Sequence, residues 1–514
     1  MSKTIIIIGA GLAGLSAALQ AAENGCNVKL VSSLPSERAQ SVMAEGGINA
    51  ALNTKDENDS PEEHFTDTIK AACGLADPNA VWGMTQAAPE LVHWLLKLGV
   101  KFNMSGYDDV DLRNFGGQKK KRTAFAQSDT GKQIMTAMID AVRRKEASGM
   151  VERFSHHSFL TLRLCGNICC GCVIRDEYSQ ETVELPGDAV IVATGGMHGL
   201  FGNTTGSLSN TGEVTAELFR LGVPLANGEM IQYHPTTVKC GGKRMLISEA
   251  ARGEGGRLFA MKDGKQWYFM EEKYPELGNL MPRDITAREI WKVSHESEVF
   301  LDMTEISEEI ISNKLSGLAD DCMTYLHKDI RKEPVSVLPG IHYFMGGILV
   351  DEQHRTPIQN LCAAGECCAQ YHGANRLGGN SLLGALYGGR VAAKSACEQA
   401  DVVDLSCATQ IDFPPASQIS EIKQLNKVMQ ETMGVVRNEN TLLNGIQTVQ
   451  ALTGNFPLLG MAVLKSALAR KESRGAHWRE DYPKSNDDDY LKTTVARFDG
   501  KQIQISFVPV PERR

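Results

Sequence analysis

The chain has 514 residues, more than one hydrophobic core supports, so several domains are expected. With 42% hydrophobic and 22% charged residues, its composition is that of an ordinary globular protein. The net charge of −9 argues against non-specific binding to nucleic acids or anionic membranes. No apolar run approaches the roughly 20 residues of a membrane span, and the first residues lead into a strand rather than a signal peptide. We therefore expect a cytoplasmic protein without direct membrane insertion.

The stretch of residues 4–14 predicts a dinucleotide-binding turn. Four consecutive isoleucines are typical of a strand buried on both faces, and an alanine-rich helix is predicted over residues 12–23. Between them, Gly9, Gly11 and Gly14 form a G-x-G-x-x-G motif. The first glycine permits the tight turn, the second leaves room for a pyrophosphate, and the third lets the helix pack against the strand. Alone the motif is also typical of structural turns, but its place between strand and helix favours a nucleotide site.

The second predicted strand, residues 27–31, is followed by Ser32. NAD sites usually place an acidic residue here to bind the ribose, so the NAD interpretation weakens, although a serine can still bond to a ribose hydroxyl. Farther on, the adjacent glycines Gly46 and Gly47 indicate backbone that lies close to a flat ligand.

From residues 38–48 onward the sequence resembles the flavoprotein subunits of fumarate reductases and succinate dehydrogenases and the related L-aspartate oxidases. Those proteins carry an Arg-Ser-His-Thr stretch before Ala-Glu/Gln-Gly-Gly, and in the respiratory enzymes this histidine holds the flavin covalently. Matching the segment 44–47 places Gln40 at the position of the histidine. The resemblance therefore implies FAD, and the glutamine implies that the FAD is bound non-covalently.

The resemblance extends from residue 4 to about residue 510. It includes Phe-Gly-Gly-Gln at 115–118, the strand and turn at 188–196 as a second flavoprotein fingerprint, Gly-Glu at 365–366, and the helix start at 372–382. The FAD contacts that it implies, together with the N-terminal motif, are Gly9, Gly11, Ala13, Gly14, Ser32, Gln40, Ser41, Gly46, Gly47, Ala193, Thr194, Gly195, Glu366, Arg376, Ser381 and Leu382.

The predicted fold class is α/β, with a Rossmann-like FAD-binding domain, an inserted α+β capping domain and a C-terminal helical domain. The Pro-Pro-Ala-Ser stretch at 414–417 indicates a linker, and residues 418–475 have the periodicity of amphipathic helices. The predicted domains are the FAD-binding domain at 1–228 and 340–405, the capping domain at 229–339, the helical domain at 406–482, and a tail at 483–514.

Four cysteines between residues 165 and 172 raise the question of a metal site. Their C-x3-C-C-x-C spacing fits no standard zinc or iron–sulfur pattern. The segment 159–174 reads better as a β-hairpin that turns at Gly166 and Asn167. We therefore expect no metal in this chain.

The resemblance implies a small dicarboxylate substrate, either fumarate or a related enoate. Carboxylates require cationic and hydrogen-bonding partners at both ends of such a molecule. In family terms His342 and Arg376 bind one carboxylate, whereas His234, Ser248 and the loop of Phe115 hold the other.

Reduction of an alkene requires a proton donor, and the resemblance assigns that role to Arg283. Arginine is a poor acid by its reference pKa, so it works only if its proton is resupplied. Glu249 and Arg252 match the family's relay residues and share one face if they are helical. Each residue alone has an ordinary alternative as a member of an ion pair, and only their joint presence favours catalysis.

Gln40 also bears on the direction of the reaction. In the family, covalent attachment raises the flavin potential enough for succinate oxidation, so non-covalent FAD favours fumarate reduction. Two alternatives stay open: an L-aspartate oxidase, and a non-catalytic FAD-binding scaffold subunit. The tail at 474–480 resembles that of respiratory subunits, which implies an iron–sulfur electron-transfer partner, although free reduced flavin or a thiol-oxidising partner are alternatives.

Overall fold

The computed structural model describes residues 2–107, 109–399, 413 and 419–514. The predicted linker at 414–417 and the boundary predicted between residues 405 and 406 lie outside the described residues. None of the described helices is both long and apolar enough to cross a membrane.

A five-stranded parallel sheet forms the centre of the first domain. Its middle strand carries the four isoleucines, and Ile5, Ile6 and Ile7 are fully buried because the sheet is covered on both faces. Across the sheet the strands are β20 (Leu361–Ala363), β10 (Ala189–Val192), β1 (Thr4–Ile8), β2 (Asn27–Ser32) and β6 (Val151–Ser155).

Helices cover one face of this sheet. The predicted alanine-rich helix, residues 12–23, is present with the predicted bounds. It packs closely against the long helix that begins at Asn380, because small residues line the contact: a Cβ added at Gly389 would overlap the carbonyl oxygen of Ala13. The helices on this side are α1 (Leu12–Glu23), α2 (Pro61–Ala71), α3 (Pro78–Lys97), α4 (Thr130–Ala147) and α11 (Asn380–Gln399).

An antiparallel sheet packs against the other face. Ile6 and Ile8 of the central sheet meet Cys172 and Ile174 in one apolar cluster. The predicted hairpin is confirmed, with its turn at residues 166–167. The strands are β7 (His157–Cys165), β8 (Ile168–Asp176) and β9 (Thr182–Pro186).

The inserted region contains two antiparallel sheets and several short helices around its own apolar cluster. The predicted boundary after residue 339 falls inside a strand, Leu338–Phe344, which pairs with the strand Ile231–Cys240. The strands are β12 (Ile231–Cys240), β13 (Lys243–Leu246), β14 (Arg257–Lys262), β15 (Lys265–Trp267), β16 (Val299–Asp302), β17 (Val335–Ser336) and β18 (Leu338–Phe344). The helices are α6 (Glu249–Gly253), α7 (Phe269–Lys273), α8 (Arg283–Val293), α9 (Glu308–Lys314), α10 (Ser316–Asp321) and a π-helical turn (Cys322–Leu326).

The C-terminal part joins helices to a second five-stranded sheet. The predicted tail is part of that sheet, because its hairpin pairs with a strand near residue 225. The helices are α12 (Ile419–Thr432), α13 (Glu439–Gln450), α14 (Asn455–Ala469) and α15 (Asp487–Tyr490). Across the sheet the strands are β21 (Cys368–Ala369), β19 (Gly347–Leu349), β11 (Leu225–Ala226), β22 (Lys492–Phe498) and β23 (Ile503–Pro509). The remaining strands of the described residues are β3 (Ile48–Asn49), β4 (Leu112–Arg113) and β5 (Thr123–Ala124), and the remaining α-helix is α5 (Glu213–Arg220).

Candidate active site

The glycine turn between β1 and α1 borders a cavity of about 460 Å³. Gly9 has a φ of +109°, and a Cβ there would overlap the carbonyl oxygen of Ala193. At Gly14 a Cβ would overlap the carbonyl oxygen of Gly9, so this glycine serves packing. Gly14 was predicted as a cofactor contact, but it does not line the cavity. At Gly11 the nearest atom to an added Cβ is Ser41 Oγ at 3.7 Å, so the protein alone would tolerate a side chain there.

The residues around this turn fit FAD. Helix α1 begins directly after Gly11, which has no side chain to cap the helix, and its Leu12 N–H makes a long hydrogen bond of 3.3 Å to Ser41 Oγ. An uncapped helix N-terminus of this kind suits a pyrophosphate. Ser32 Oγ is buried without a hydrogen-bond partner among the described residues, as a serine that awaits a ribose hydroxyl would be. Gly9, Gly11 and Ser32 line the cavity, and so do the other predicted cofactor residues Ala13, Gln40, Ser41, Gly46, Gly47, Ala193, Thr194, Gly195, Glu366, Arg376, Ser381 and Leu382.

The segment from Gln40 to Gly47 is held in place by hydrogen bonds with residues from elsewhere in the chain. Gln40 Oε1 accepts a hydrogen bond from the Ser207 N–H at 2.6 Å. The buried guanidinium of Arg113 donates to the carbonyls of Glu45 and Gly46. Burial and nearby acidic groups raise the pKa of Glu45 to about 8. Arg113 was not predicted from the sequence, since the partners it holds are backbone carbonyls 67 and 68 residues away.

Two predicted substrate-binding histidines meet at the other end of the cavity. His234 lies on β12 and His342 on the adjacent strand β18, with ring centroids 5.0 Å apart. Both line the cavity. Nδ1 of His342 is 2.8 Å from the hydroxyl oxygen of Thr205, whereas Nδ1 of His234 is 3.1 Å from the backbone carbonyl oxygen of Thr236. The pairing of the two strands is therefore what brings residues 108 positions apart together.

Arg376 is a buried cation at this end of the cavity. It is 3% exposed, its guanidinium lies 4.3 Å from the Tyr343 ring, and Nε has no hydrogen-bond partner in the described parts of the chain. No salt bridge to Arg376 exists within residues 2–107, 109–399 and 419–514. Because a buried charge is costly without a partner, Arg376 fits an anionic group from outside the protein.

Arg283, Glu249 and Arg252 form a continuous chain of buried charges. Arg283 donates to Glu249 Oε2 from Nη2 at 2.6 Å and from Nε at 2.9 Å. Glu249 Oε1 in turn accepts from Nη2 of Arg252 at 3.3 Å, and Nη1 of Arg252 donates to the carbonyl oxygen of Asn279. Arg283 and Glu249 line the cavity, but Arg252 does not, so Arg252 contacts the predicted site only through Glu249.

A glutamine that sequence reasoning missed connects these groups. Gln232 is fully buried on β12, and its Oε1 accepts from Nη1 of Arg283 at 3.1 Å. Its amide nitrogen donates to the backbone carbonyl of Arg376 at 2.8 Å. One side chain thus sets the spacing of two arginines 93 residues apart. The signal in the sequence was its position two residues before His234, on the same face of a strand.

The remaining predicted residues also reach the cavity. Ser248 is 4% exposed and caps α6, accepting from the Ala250 N–H at 3.4 Å, so its hydroxyl is shared between the helix and the cavity. Phe115 is 1% exposed, and the following N–H, that of Gly116, donates to Glu249 Oε1 at 3.3 Å. Within the described parts of the chain, no group of three or more His, Cys, Asp or Glu side chains is arranged to hold a metal ion.

Burial and neighbouring charges shift the pKa values of the titratable side chains in the site. Burial, with the nearby cation Arg283, holds the pKa values of His234 and His342 well below 6.5, so both rings are neutral near pH 7. Burial raises the pKa of Glu249, but the two arginines beside it outweigh this effect and lower it below the usual value. Burial and Arg283 lower the pKa of Arg376 to about 9. The cavity end is therefore cationic and rich in neutral hydrogen-bonding groups, which suits a dianion.

Comparison with known families agrees with this geometry. The family model described as an FAD binding domain matches residues 4–382. A second model, described as the C-terminal part of fumarate reductase flavoproteins, matches residues 452–513. The predicted cofactor, FAD, is thus confirmed.

Curated relatives match over nearly their whole length. The succinate dehydrogenase flavoprotein subunit of Bacillus subtilis is 38% identical, with 100% of this chain and 98% of the relative covered. The 8-methylmenaquinol:fumarate reductase flavoprotein subunit of Wolinella succinogenes is 32% identical, with 100% and 92% covered. The fumarate reductase flavoprotein subunit of Haemophilus influenzae is 30% identical, with 98% and 94% covered.

Solved structures confirm the predicted fold class. A variant of the Escherichia coli quinol fumarate reductase flavoprotein superposes with a TM-score of 0.90 at 27% identity, covering 99% of this chain and 97% of that one. Sdh1 of Mycobacterium smegmatis gives a TM-score of 0.83 at 29% identity, covering 100% and 95%. The chain belongs to the family of FAD-dependent flavoprotein subunits of succinate dehydrogenases and fumarate reductases.

Proposed function

We propose that this protein is the catalytic flavoprotein subunit of a fumarate-reductase-type enzyme, which reduces fumarate or a related enoate to the saturated dicarboxylate. One observation carries the proposal: the buried, unpaired cation Arg376 lies among neutral histidines beside the Arg283–Glu249 pair. A carboxylate of the substrate supplies the anion that Arg376 lacks, and a reactive double bond then lies close to a buried arginine that can donate a proton.

Binding and orientation are the first task of these residues. Arg376 and His342 take one carboxylate, and His234 with the Ser248 hydroxyl takes the other. Bound FAD supplies the hydride. Carboxylates held at both ends draw electron density from the double bond and fix its orientation. Because residues of the inserted region line the cavity together with residues of the first domain, the substrate is enclosed between them.

Delivery of the proton is the task of Arg283. The acid must be resupplied, since a guanidinium that has lost its proton inside a protein is unfavourable. Glu249 Oε2, 2.6 Å from Nη2 of Arg283, is placed to return the proton, and Arg252 follows Glu249 in the chain of contacts. In this proposal Arg283 is the acid, and Glu249 with Arg252 resupplies it.

The FAD is proposed to be bound non-covalently. Gln40 lines the cavity, and an amide cannot form the bond that the histidine of the respiratory relatives forms. The amide oxygen of Gln40 is instead occupied by the Ser207 N–H. Acid precipitation of the purified protein should release all flavin into the supernatant. Yellow colour that stays with the precipitate would contradict this part of the proposal.

The reaction itself is tested by comparing its two directions. Purified protein should reduce fumarate with a reduced viologen dye much faster than it oxidises succinate with an artificial acceptor. Equal rates in both directions would overturn the proposed direction. Peroxide production from L-aspartate in air would favour an aspartate oxidase, and retention of FAD without any turnover would favour a scaffold subunit.

An electron-transfer partner is also proposed. The relatives named above are subunits, and the described residues form no cluster of ligands for a metal. We infer that an iron–sulfur protein delivers electrons to the FAD. Purification of the native protein from its own cells, followed by iron analysis and mass spectrometry of what is bound, tests this. A native protein that is isolated alone and is reduced directly by free flavin or a thiol would contradict it.

A further inference from the structure

The hydroxyl of Thr205 contacts one ring nitrogen of His342. Thr205 follows β10 in a loop that borders the cavity, and it lies 137 residues from His342 in the sequence. We propose that Thr205 is a positioning residue whose hydroxyl holds His342 in the tautomer with the proton on Nε2, so that His342 donates a hydrogen bond to a substrate carboxylate. This proposal rests on the proposed function, in which His342 binds one of the carboxylates.

The distances favour donation from the threonine to the histidine. Thr205 Oγ1 is 2.8 Å from His342 Nδ1, whereas it is 3.4 Å from the carbonyl oxygen of Ile341, the other acceptor within reach. A hydroxyl has one proton to donate. The Ile341 carbonyl oxygen is the more distant acceptor and already accepts the Thr205 N–H at 3.0 Å, so Nδ1 is the better acceptor for the hydroxyl. When the hydroxyl donates to Nδ1, that nitrogen is an acceptor, and the neutral ring must carry its proton on Nε2.

The tautomer matters because the ring of His342 is neutral near pH 7. Burial, followed by the charges of Arg283 and Arg376, holds the pKa of His342 well below 6.5. A neutral imidazole binds a carboxylate only through a nitrogen that carries a proton; the opposite tautomer would present a lone pair to the negative charge. Fixing the proton therefore decides whether His342 attracts or repels the substrate.

The second histidine of the site, His234, has different hydrogen-bond partners at Nδ1. Nδ1 of His234 lies 3.1 Å from the backbone carbonyl oxygen of Thr236 and 3.3 Å from the Thr236 N–H. The hydroxyl of Thr236 is engaged with the Ile247 carbonyl at 2.8 Å. The surroundings of His234 are thus mainly backbone, which no side-chain substitution removes, whereas those of His342 depend on one hydroxyl.

The experiment compares the FAD-loaded wild-type protein with Thr205→Ser, which keeps the hydroxyl, and Thr205→Val, which removes it at nearly constant volume. Two measurements are made: the nitrogen chemical shifts of ¹⁵N-labelled histidine, with His342 assigned by the signals missing from His342→Gln, and the dissociation constant of malonate from the flavin absorbance.

We expect wild type and Thr205→Ser to show an unprotonated Nδ1 and a protonated Nε2. In Thr205→Val the nitrogen chemical shift of His342 Nε2 should move partly or wholly from the value of a protonated nitrogen towards that of an unprotonated one. The malonate dissociation constant should rise about tenfold, and the KM for fumarate should rise with it while kcat changes little. FAD content equal to that of wild type identifies a folded variant.

Two results would overturn the proposal. One is a protonated Nδ1 of His342 in the wild-type protein, which needs no variant at all. The other is a Thr205→Val protein with wild-type nitrogen shifts and wild-type malonate affinity. If wild-type protein bound no malonate, the proposed function and the carboxylate contact would fail, while the nitrogen shifts would still decide whether Thr205 sets the tautomer.

Discussion

The two ends of the cavity are built in different ways. The end at Gly9–Gly14 consists of backbone from one continuous stretch, and its shape follows from where side chains are missing. The opposite end consists of side chains from strands, helices and loops far apart in the sequence, and its character follows from buried charge. The first end is a matter of local geometry, whereas the second exists only when the whole chain has folded.

This difference predicts different consequences of mutation. A side chain added at the glycine end blocks a ligand by occupying its space. A charge removed at the opposite end leaves its former partner buried and alone, so that both reactivity and stability change. The following experiments test this contrast.

Gly11→Val has the largest expected effect. Because the protein itself leaves room for a Cβ at Gly11, the variant should fold but bind no FAD. Gly14→Val is the matched change. It should destabilise the fold as well as prevent FAD binding, since a Cβ at residue 14 overlaps the carbonyl oxygen of Gly9. Flavin absorbance and thermal unfolding measure both. A Gly11→Val protein that purifies fully yellow would show that the turn does not bind the cofactor.

Arg283→Ala should lower the turnover of fumarate by about three orders of magnitude, the range for loss of a general acid. FAD should remain bound, because Arg283 belongs to the opposite end of the cavity. Lys292→Ala, at an exposed position of the same helix, is the control and should leave turnover unchanged. Unchanged turnover in Arg283→Ala would favour the scaffold interpretation.

Glu249→Gln should lower both activity and stability. It leaves two buried arginines without their shared carboxylate, which costs about 3 kcal/mol in similar cases. Turnover should fall about a hundredfold, because Arg283 is no longer resupplied. Denaturant unfolding and the rate of fumarate reduction check the two effects. A variant with wild-type stability would mean that the ion pairs contribute nothing to the fold.

Raising the pH should weaken dicarboxylate binding, an effect smaller than those of the three mutations, through the charge of Arg376. Arg376, with a pKa of about 9, is charged below that pH and loses its charge above it. The malonate dissociation constant should therefore rise by up to about tenfold per pH unit above pH 9. Between pH 6 and 8 it should stay flat, since His234 and His342 are already neutral. A titration near pH 6.5 would contradict the neutral state of the histidines.

The two ends of the cavity also differ in how much of their structure could be predicted from the sequence. The glycine turn, its flanking strand and helix, and the cysteine hairpin followed from local patterns, and the structure contains them. The residues proposed to bind and protonate the substrate were predicted only by resemblance to a family. Gln232, Thr205 and Arg113 were missed, because their partners depend on how β12 pairs with β18 and on how distant loops meet the cavity. No pattern of residue spacing identifies Thr205 or Arg113, whereas the position of Gln232 two residues before His234 was a usable signal.

The sheet pairings have a consequence for the timing of folding during synthesis. Strand β1 is made first, but its neighbour β10 begins at Ala189, and the next strand of the sheet ends at Ala363. Strand β1 can therefore pair with β2 as soon as that strand is made, whereas its other side and the edge of the sheet beyond it are completed much later. In the second five-stranded sheet, β11 pairs with β19 on one side and with β22, at Val495 and Ala496, on the other. Such long-range pairing folds slowly, and the cavity lining extends from Ile8 to Ala385, so we expect cofactor uptake only after most of the chain has been made.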